Sequence, residues 1–176
     1  MRKNYPVCIL TAGFGTGMGR EYSCINKTLL PLGNESIISN IISGFPKKTE
    51  FVIALGYKGN LLKEFLSIAY PKHKFKFVLI DKFDASNGSL GYTLDKSKNY
   101  LQKPFIFHSS DSMLTKPPKI NTKKNWIGVS MYDGPAKSEY RLVHNDQFKI
   151  NEKGVGINNP DYNVYIGVCG INDYKE

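Results

Sequence analysis

"VCILTAGFGTGMGREYSCINKTLLPLGNESII", Val7 to Ile38, is the stretch on which the fold turns. It opens with an apolar run, Cys8-Ile9-Leu10, and breaks into a loop with glycines at 13, 15, 17 and 19. Val7–Thr11 predicts a short strand buried on both faces, as a central parallel strand is. A strand that runs into a glycine-rich turn is where open α/β sheets bind phosphates, because glycine lets backbone N–H groups approach closely. A lone lysine, Lys27, follows the loop.

Outward from this loop the elements alternate. Ile37, Ile38, Ile41 and Ile42 recur at helical spacing, with Ser36 placed to cap them and Gly44 to end them. Glu50–Gly56 predicts a second buried strand. Leu61, Leu62, Phe65, Leu66 and Ala69 form the apolar stripe of a second helix that Pro71 stops. Phe75–Ile80 predicts a third strand. A further helix starts near Ser89 and carries Leu90, Leu94 and Leu101. Pro104–His108 then predicts a fourth strand, ending in Ser109-Ser110-Asp111. Such alternation implies βαβ units.

Past Pro118 the texture changes to short strands ("WIGVSMY", "YRLVH", "QFKIN", "NVYIGVCGI") separated by Gly, Pro, Asn and Asp. Asn145-Asp146 suits a hairpin turn. The expected fold class is therefore α/β: a doubly wound, mainly parallel, Rossmann-like sheet with a small antiparallel β section in the C-terminal third. With 176 residues and no repeat or linker, a single domain is expected over 1–176, its nucleotide-binding half at 1–115 and a β-rich part at 116–176.

No apolar stretch approaches the roughly 18 residues of a transmembrane helix. Met1-Arg2-Lys3 is followed by too short an apolar run for a secretory signal, so a cytoplasmic location is expected. Cys8, Cys24 and Cys169 lie far apart; Cys8 and Cys169 read as small core residues in strands. His73, His108 and His144 are equally scattered, without zinc-ligand spacing. The formal charge of +9 attracts polyanions. Its densest stretches, Pro71–Phe77 and Lys116–Trp126, lack any nucleic-acid recognition signature and read first as solvated lysines.

Two common phosphate loops fail. A Walker A loop places a second glycine five residues after the first, and Met18 stands there. A dinucleotide fingerprint fits Gly13 and Gly15 but meets Met18 at its third glycine. Its second strand would also need an acid for a ribose, where this chain has Leu55-Gly56-Tyr57.

The whole stretch "LTAGFGTGMG…NKTLLPLGNESIISNII" instead resembles the signature of the nucleotidyltransferases that join a nucleoside triphosphate to a phosphorylated sugar or alcohol. These enzymes share a GT-A-like nucleotide-diphospho-sugar transferase fold. Leu10, Ala12, Gly13, Gly15, Thr16 and Met18 match the first half of the signature; Lys27, Leu30, Pro31 and Leu32 match the second. The resemblance runs on through "FVIALGYKGNLLKEFL", "NGSLGYTL" (Asn87–Leu94), "PFIFHSSDSML", "INEKGVG" (Ile150–Gly156) and "YNVYIGVCGIN".

The resemblance implies transfer of a nucleoside monophosphate from a nucleoside triphosphate to a sugar phosphate or other small phosphorylated acceptor. Pyrophosphate leaves, Mg2+ is the cofactor, and envelope or capsule polysaccharide assembly is the usual setting. It assigns catalysis to Lys27 and Asp111, with Asp111 as metal ligand. Nucleotide binding falls to Leu10, Ala12, Gly13, Gly15, Thr16, Gly17, Met18, Asn87, Gly88 and Ser89, and acceptor contact to Glu152 and Lys153. Each has a plainer reading beside it: Asp111 as a turn residue, Asn87–Ser89 as a turn and helix cap, Glu152-Lys153 as an exposed pair. The implied partners are the triphosphate and the acceptor, with neither nucleic acid nor membrane, and a homo-oligomer is left open.

Two departures stand out. The family's loop arginine is Gly17 here, with Arg20 three residues later as its substitute. The family's Pro-Lys is Asn26-Lys27, which counts as minor because no charge is lost. The chain also stops at Glu176, ahead of the part from which relatives commonly draw a second metal-binding aspartate, so a piece of a longer protein is left open. The missing arginine and the early stop keep a second reading in play, a catalytically weak nucleotide- or sugar-phosphate-binding module of the same fold.

Overall fold

Apolar residues at consecutive positions, not alternate ones, build the centre of the molecule. The computed structural model describes residues 5–15, 19–83, 89–116, 123–131, 141–144 and 162–175. β1 (Val7–Leu10), β4 (Glu50–Leu55), β5 (Lys74–Leu79) and β6 (Phe105–Ser109) lie parallel in the order β5-β4-β1-β6. Val7 pairs with Phe51 on one side and Ile106 on the other, so β1 is internal. Successive side chains of a strand point to opposite faces. Val7, Ile9, Phe51, Ile53 and Leu55 meet one core; Cys8, Val52, Ala54 and Phe107 meet the other. Both faces are therefore covered, as the unbroken apolar runs require.

Helices supply the covers. α1 (Ile37–Ser43) begins where the Ser36 hydroxyl accepts from the Ser39 N–H at 3.2 Å. Its β-branched isoleucines are indifferent helix formers, and the burial of Ile38, Ile41 and Ile42 against the first core holds the helix. α2 (Gly59–Ala69) buries Leu62 and Leu66 on the same face of the sheet and stops at Tyr70, before Pro71.

α3 (Leu90–Ser97) covers the opposite face, and of the three leucines expected on it only Leu90 and Leu94 fall within it. Leu90 is exposed, Leu94 is half-buried, and Leu101 is buried only beyond the helix, past a 3-10 turn at Lys98–Tyr100. The buried positions of α3 are Thr93 and Ser97. Their hydroxyls donate to the carbonyls one turn back, Thr93 to Ser89 at 3.1 Å and Ser97 to Thr93 at 2.8 Å. Satisfied inside the helix, they lie against the sheet beside the half-buried Tyr92 and Leu94, which also pack on the second core. Ser97 also hydrogen-bonds Cys8, whose thiol burial pushes up to about 12, so that it stays protonated.

The later strands join at β6. β9 (Tyr162–Ile171) runs antiparallel to it, with Phe105 opposite Ile171 and His108 opposite Val168. β7 (Trp126–Ser130) pairs with the other edge of β9. β8 (Leu142–His144) pairs with Tyr162–Val164, on the edge that β6 occupies further along. The expected doubly wound, mainly parallel sheet with an antiparallel section is thus what the chain forms. An unforeseen hairpin, β2 (Pro31–Leu32) with β3 (Glu35–Ser36), leads into α1. The segment "QFKIN" and the turn at Asn145-Asp146 lie outside the described residues.

Candidate functional site

Four parallel strands end at one edge of the sheet, and among the described residues the start of the glycine loop follows β1 and Asp111 follows β6 there. Leu10 is still within β1, paired with Ala54 and Ser109, its side chain against the second core. Thr11 and Ala12 are buried beyond it. The Thr11 hydroxyl donates to Ala54 O at 2.6 Å, and Ala12 O accepts from the Tyr57 N–H at 2.8 Å. Gly13 and Phe14 then emerge into solvent.

Gly15 and Lys27 come together. Gly15 has φ +70°, and a Cβ on it would lie 3.0 Å from the Lys27 Cβ and 3.2 Å from its Cδ. The lysine stem therefore lies along the bare Cα of the loop. Lys27 opens a 3-10 turn, Lys27–Leu29, is half-buried, and makes no salt bridge among the described residues.

Asn26 is where the sequence reading needs correction. Judged minor on charge, it is 0% exposed and makes four hydrogen bonds. Its Nδ2 donates to Thr11 O at 3.0 Å and to Tyr57 O at 2.8 Å. Its Oδ1 accepts from the Thr28 N–H at 3.1 Å and from the Thr28 hydroxyl at 2.7 Å. A count of charges does not register a buried carboxamide, and that is why the sequence undervalued it.

Asp111 follows β6 at the same edge and is exposed, with no salt bridge among the described residues. The turn that carries it is fastened on both sides. The Ser109 hydroxyl donates to Ser112 Oγ at 3.2 Å, and the Ser112 hydroxyl donates to Ile166 O of β9. Gly167, at φ +73°, makes room for this clasp, since a Cβ there would collide with Ser109 Oγ.

Beneath Asp111, His108 is 1% exposed, and its Nδ1–H donates to Ser109 O at 2.5 Å. Burial holds the imidazole below its ordinary value, against the opposing pull of the Ser109 carbonyl and the Asp111 carboxylate. The unfolded chain therefore takes up this proton first as pH falls through about 6.5, while the folded chain resists. Stability that is full above that pH is lost below it. The melting temperature should fall more between pH 7.5 and 5.5 in wild type than in His108→Phe. Equal slopes would remove His108 as the cause.

Residues the sequence did not single out complete the edge. The rings of Phe14, Tyr57 and Phe83 pack at the ends of β1, β4 and β5, Phe14 lying 4.5 Å from Tyr57 and 5.3 Å from Phe83. The Tyr57 hydroxyl donates to Ser23 O at 2.5 Å. Among the nucleotide positions, Ser89 is the N-cap of α3, accepting from the Tyr92 N–H at 3.1 Å, in agreement with its plainer reading. Thr16, Gly17, Met18, Asn87, Gly88, Glu152 and Lys153 lie outside the described residues, as does the side chain of Arg20. Among the described residues, no helix is long and apolar enough to cross a membrane.

No family model matches the chain, and no curated protein matches it by sequence. Solved structures do. A CTP:phosphocholine cytidylyltransferase from Streptococcus pneumoniae is similar with a TM-score of 0.73 at 20% identity, over 97% of this chain and 72% of that one. A UDP-glucose pyrophosphorylase complexed with UDP-glucose gives 0.72 at 14% identity, over 97% and 76%. An inositol-1-phosphate CTP transferase from T. maritima gives 0.66 at 14% identity, over 98% and 73%. At such identities the likeness speaks to architecture, and the architecture is that of the nucleotidyltransferase fold.

Proposed function

We propose that this chain is a Mg2+-dependent nucleotidyltransferase that transfers a nucleoside monophosphate from a nucleoside triphosphate to a small phosphorylated acceptor. The observation that carries the reading is the packing of Lys27 along Gly15 at the carboxyl edge of a parallel sheet, with Asp111 following β6 at that edge. The similar structures act on compounds of this class by name, which supports the same reaction type here.

In the reaction, an acceptor phosphate oxygen forms a bond to the α-phosphorus as the bond to the β-phosphate oxygen breaks, and pyrophosphate leaves. The attacking oxygen is already anionic, so positioning and charge stabilisation suffice. The glycine loop brings backbone to the phosphates, and Lys27 offers a point charge to the triphosphate. Glu152 and Lys153 would meet the acceptor, and Arg20 would stand in for the loop arginine.

Asp111, an exposed carboxylate after β6, is the hard oxygen ligand this edge would offer Mg2+. Mg2+ is commonly held by one or two carboxylates plus phosphate oxygens and water. When bound, it would offset charge on the phosphates. A role in making envelope or capsule precursors rests on the family resemblance. Gly17 in place of the loop arginine favours the alternative, a binding module with little turnover.

Calorimetric titration of ATP, CTP, GTP and UTP, with and without Mg2+, tests the reading. One triphosphate should bind, more tightly with the metal, and Lys27→Ala should weaken it about tenfold or more, the loss of one charge-assisted contact. Folded wild-type protein that binds none of the four would sink the proposal. Tight binding without pyrophosphate release would hand the case to the binding module.

A further inference from the structure

The four bonds of Asn26 meet at a point where three pieces of chain converge: the end of β1 through Thr11 O, the turn after β4 through Tyr57 O, and the Lys27 turn through Thr28. We propose that Asn26 is the positioning residue for Lys27, holding its ammonium in register with the glycine loop. This rests on the triphosphate-binding reading of the site.

Geometry shows what the carboxamide adds. Asn26 sits at φ −67° and ψ 131°, a backbone conformation that proline also adopts. A proline would keep this backbone and supply none of the four side-chain bonds. The two Nδ2 donations tie the Lys27 turn to the end of β1, which carries the loop, and to the turn after β4. The Oδ1 bonds cap the turn itself, satisfying an N–H that the short 3-10 element leaves open.

Lys27 is thereby fixed at its base by Asn26 and along its stem by Gly15, and Gly15 stands four residues after Thr11, which Asn26 also holds. A lysine brings a point charge on a flexible four-carbon arm. Binding a ligand with it costs less when base and stem are already ordered. The carboxamide is suited to the place because it both donates and accepts without charge. An aspartate of the same shape would keep the cap and turn both donations into contacts between oxygens.

The experiment is a coupling measurement on the whole chain. Inorganic tripolyphosphate and the four nucleoside triphosphates are titrated with Mg2+ into wild type, Asn26→Asp, Asn26→Pro, Lys27→Ala and the two double variants. Each Asn26 variant should bind about tenfold more weakly, and adding Lys27→Ala should cost almost nothing further, because both changes remove one interaction. A residue that only stabilises the fold would give losses that add.

Losses that add, or wild-type affinity in a folded Asn26 variant, overturn the inference. If both variants fail to fold, Thr28→Val removes one bond of the four. It should weaken binding about threefold, again without adding to Lys27→Ala; unchanged affinity overturns the inference. Wild type that binds none of the probes overturns the triphosphate reading beneath it and this inference together, and is told apart by the wild-type titration alone.

Discussion

Asp111→Asn should lower Mg2+-supported pyrophosphate release by about three orders of magnitude, the scale on which a charge aimed at developing phosphate charge operates. Asparagine keeps the shape of the side chain and its fitness for a turn, and removes only the anion. The side chain is exposed, so global stability should move by no more than about 0.5 kcal/mol. The Ser109–Ser112 clasp lies on either side and does not use the carboxylate. Steady-state release of pyrophosphate, with Mn2+ titrated as a paramagnetic substitute, would show a weakened metal alongside the lost rate. A variant within about threefold of wild type would remove Asp111 from the chemistry, the difference then being under 1 kcal/mol.

Gly167→Ala carries the largest expected effect on stability, about 3 kcal/mol. A left-handed φ of +73° costs a non-glycine residue roughly 1–2 kcal/mol, and a methyl group driven into Ser109 adds roughly 1–3 kcal/mol of overpacking. The neighbours cannot easily yield. Ser109 is paired with Leu10 in the sheet, and Ser112 is held by Ile166 O. For a chain of this size the melting temperature should drop by roughly 6–12 °C. Scanning calorimetry measures it directly, and a drop below about 2 °C would mean that β9 shifts to admit the methyl at little cost. Because the same contact fastens the Asp111 turn, folded Gly167→Ala protein should also bind Mn2+ more weakly than wild type.

How much of this was legible in the sequence depended on which signal each element carried. β1 and β4 are buried on both faces, and their unbroken apolar runs announce it. α1 and α2 were legible through aliphatic spacing, as their buried Ile38, Ile41, Ile42, Leu62 and Leu66 show. α3 was found, and Leu94 and Leu101 do pack on the second core, but Thr93 and Ser97 went unread because they look polar until their hydroxyls are seen bonding within the helix. The β2–β3 hairpin has strands of two residues each, too short for any period to register.

The site divides along the same line. Gly15, Lys27 and Asp111 were singled out by the family resemblance, and the fold sets Lys27 along Gly15 with Asp111 just after the end of β6. Asn26 and the Ser109–Ser112–Gly167 clasp act through hydrogen bonds between distant segments, which no local pattern encodes. The ring cluster of Phe14, Tyr57 and Phe83 draws one residue from each of three strand ends, so it too exists only once the sheet has formed.

The internal position of β1 has a consequence for synthesis. Among the described strands it leaves the ribosome ahead of the others, yet one of its edges waits for β6, whose residues come after β4, α2, β5 and α3. At roughly 5–20 residues per second that delay lasts several seconds, during which an apolar strand has one row of backbone groups unpaired. β6 then waits in turn for β9. The nascent chain is thus a natural client for factors that shield sticky edges, and stalling just ahead of Phe105 should be the surest way to make it aggregate.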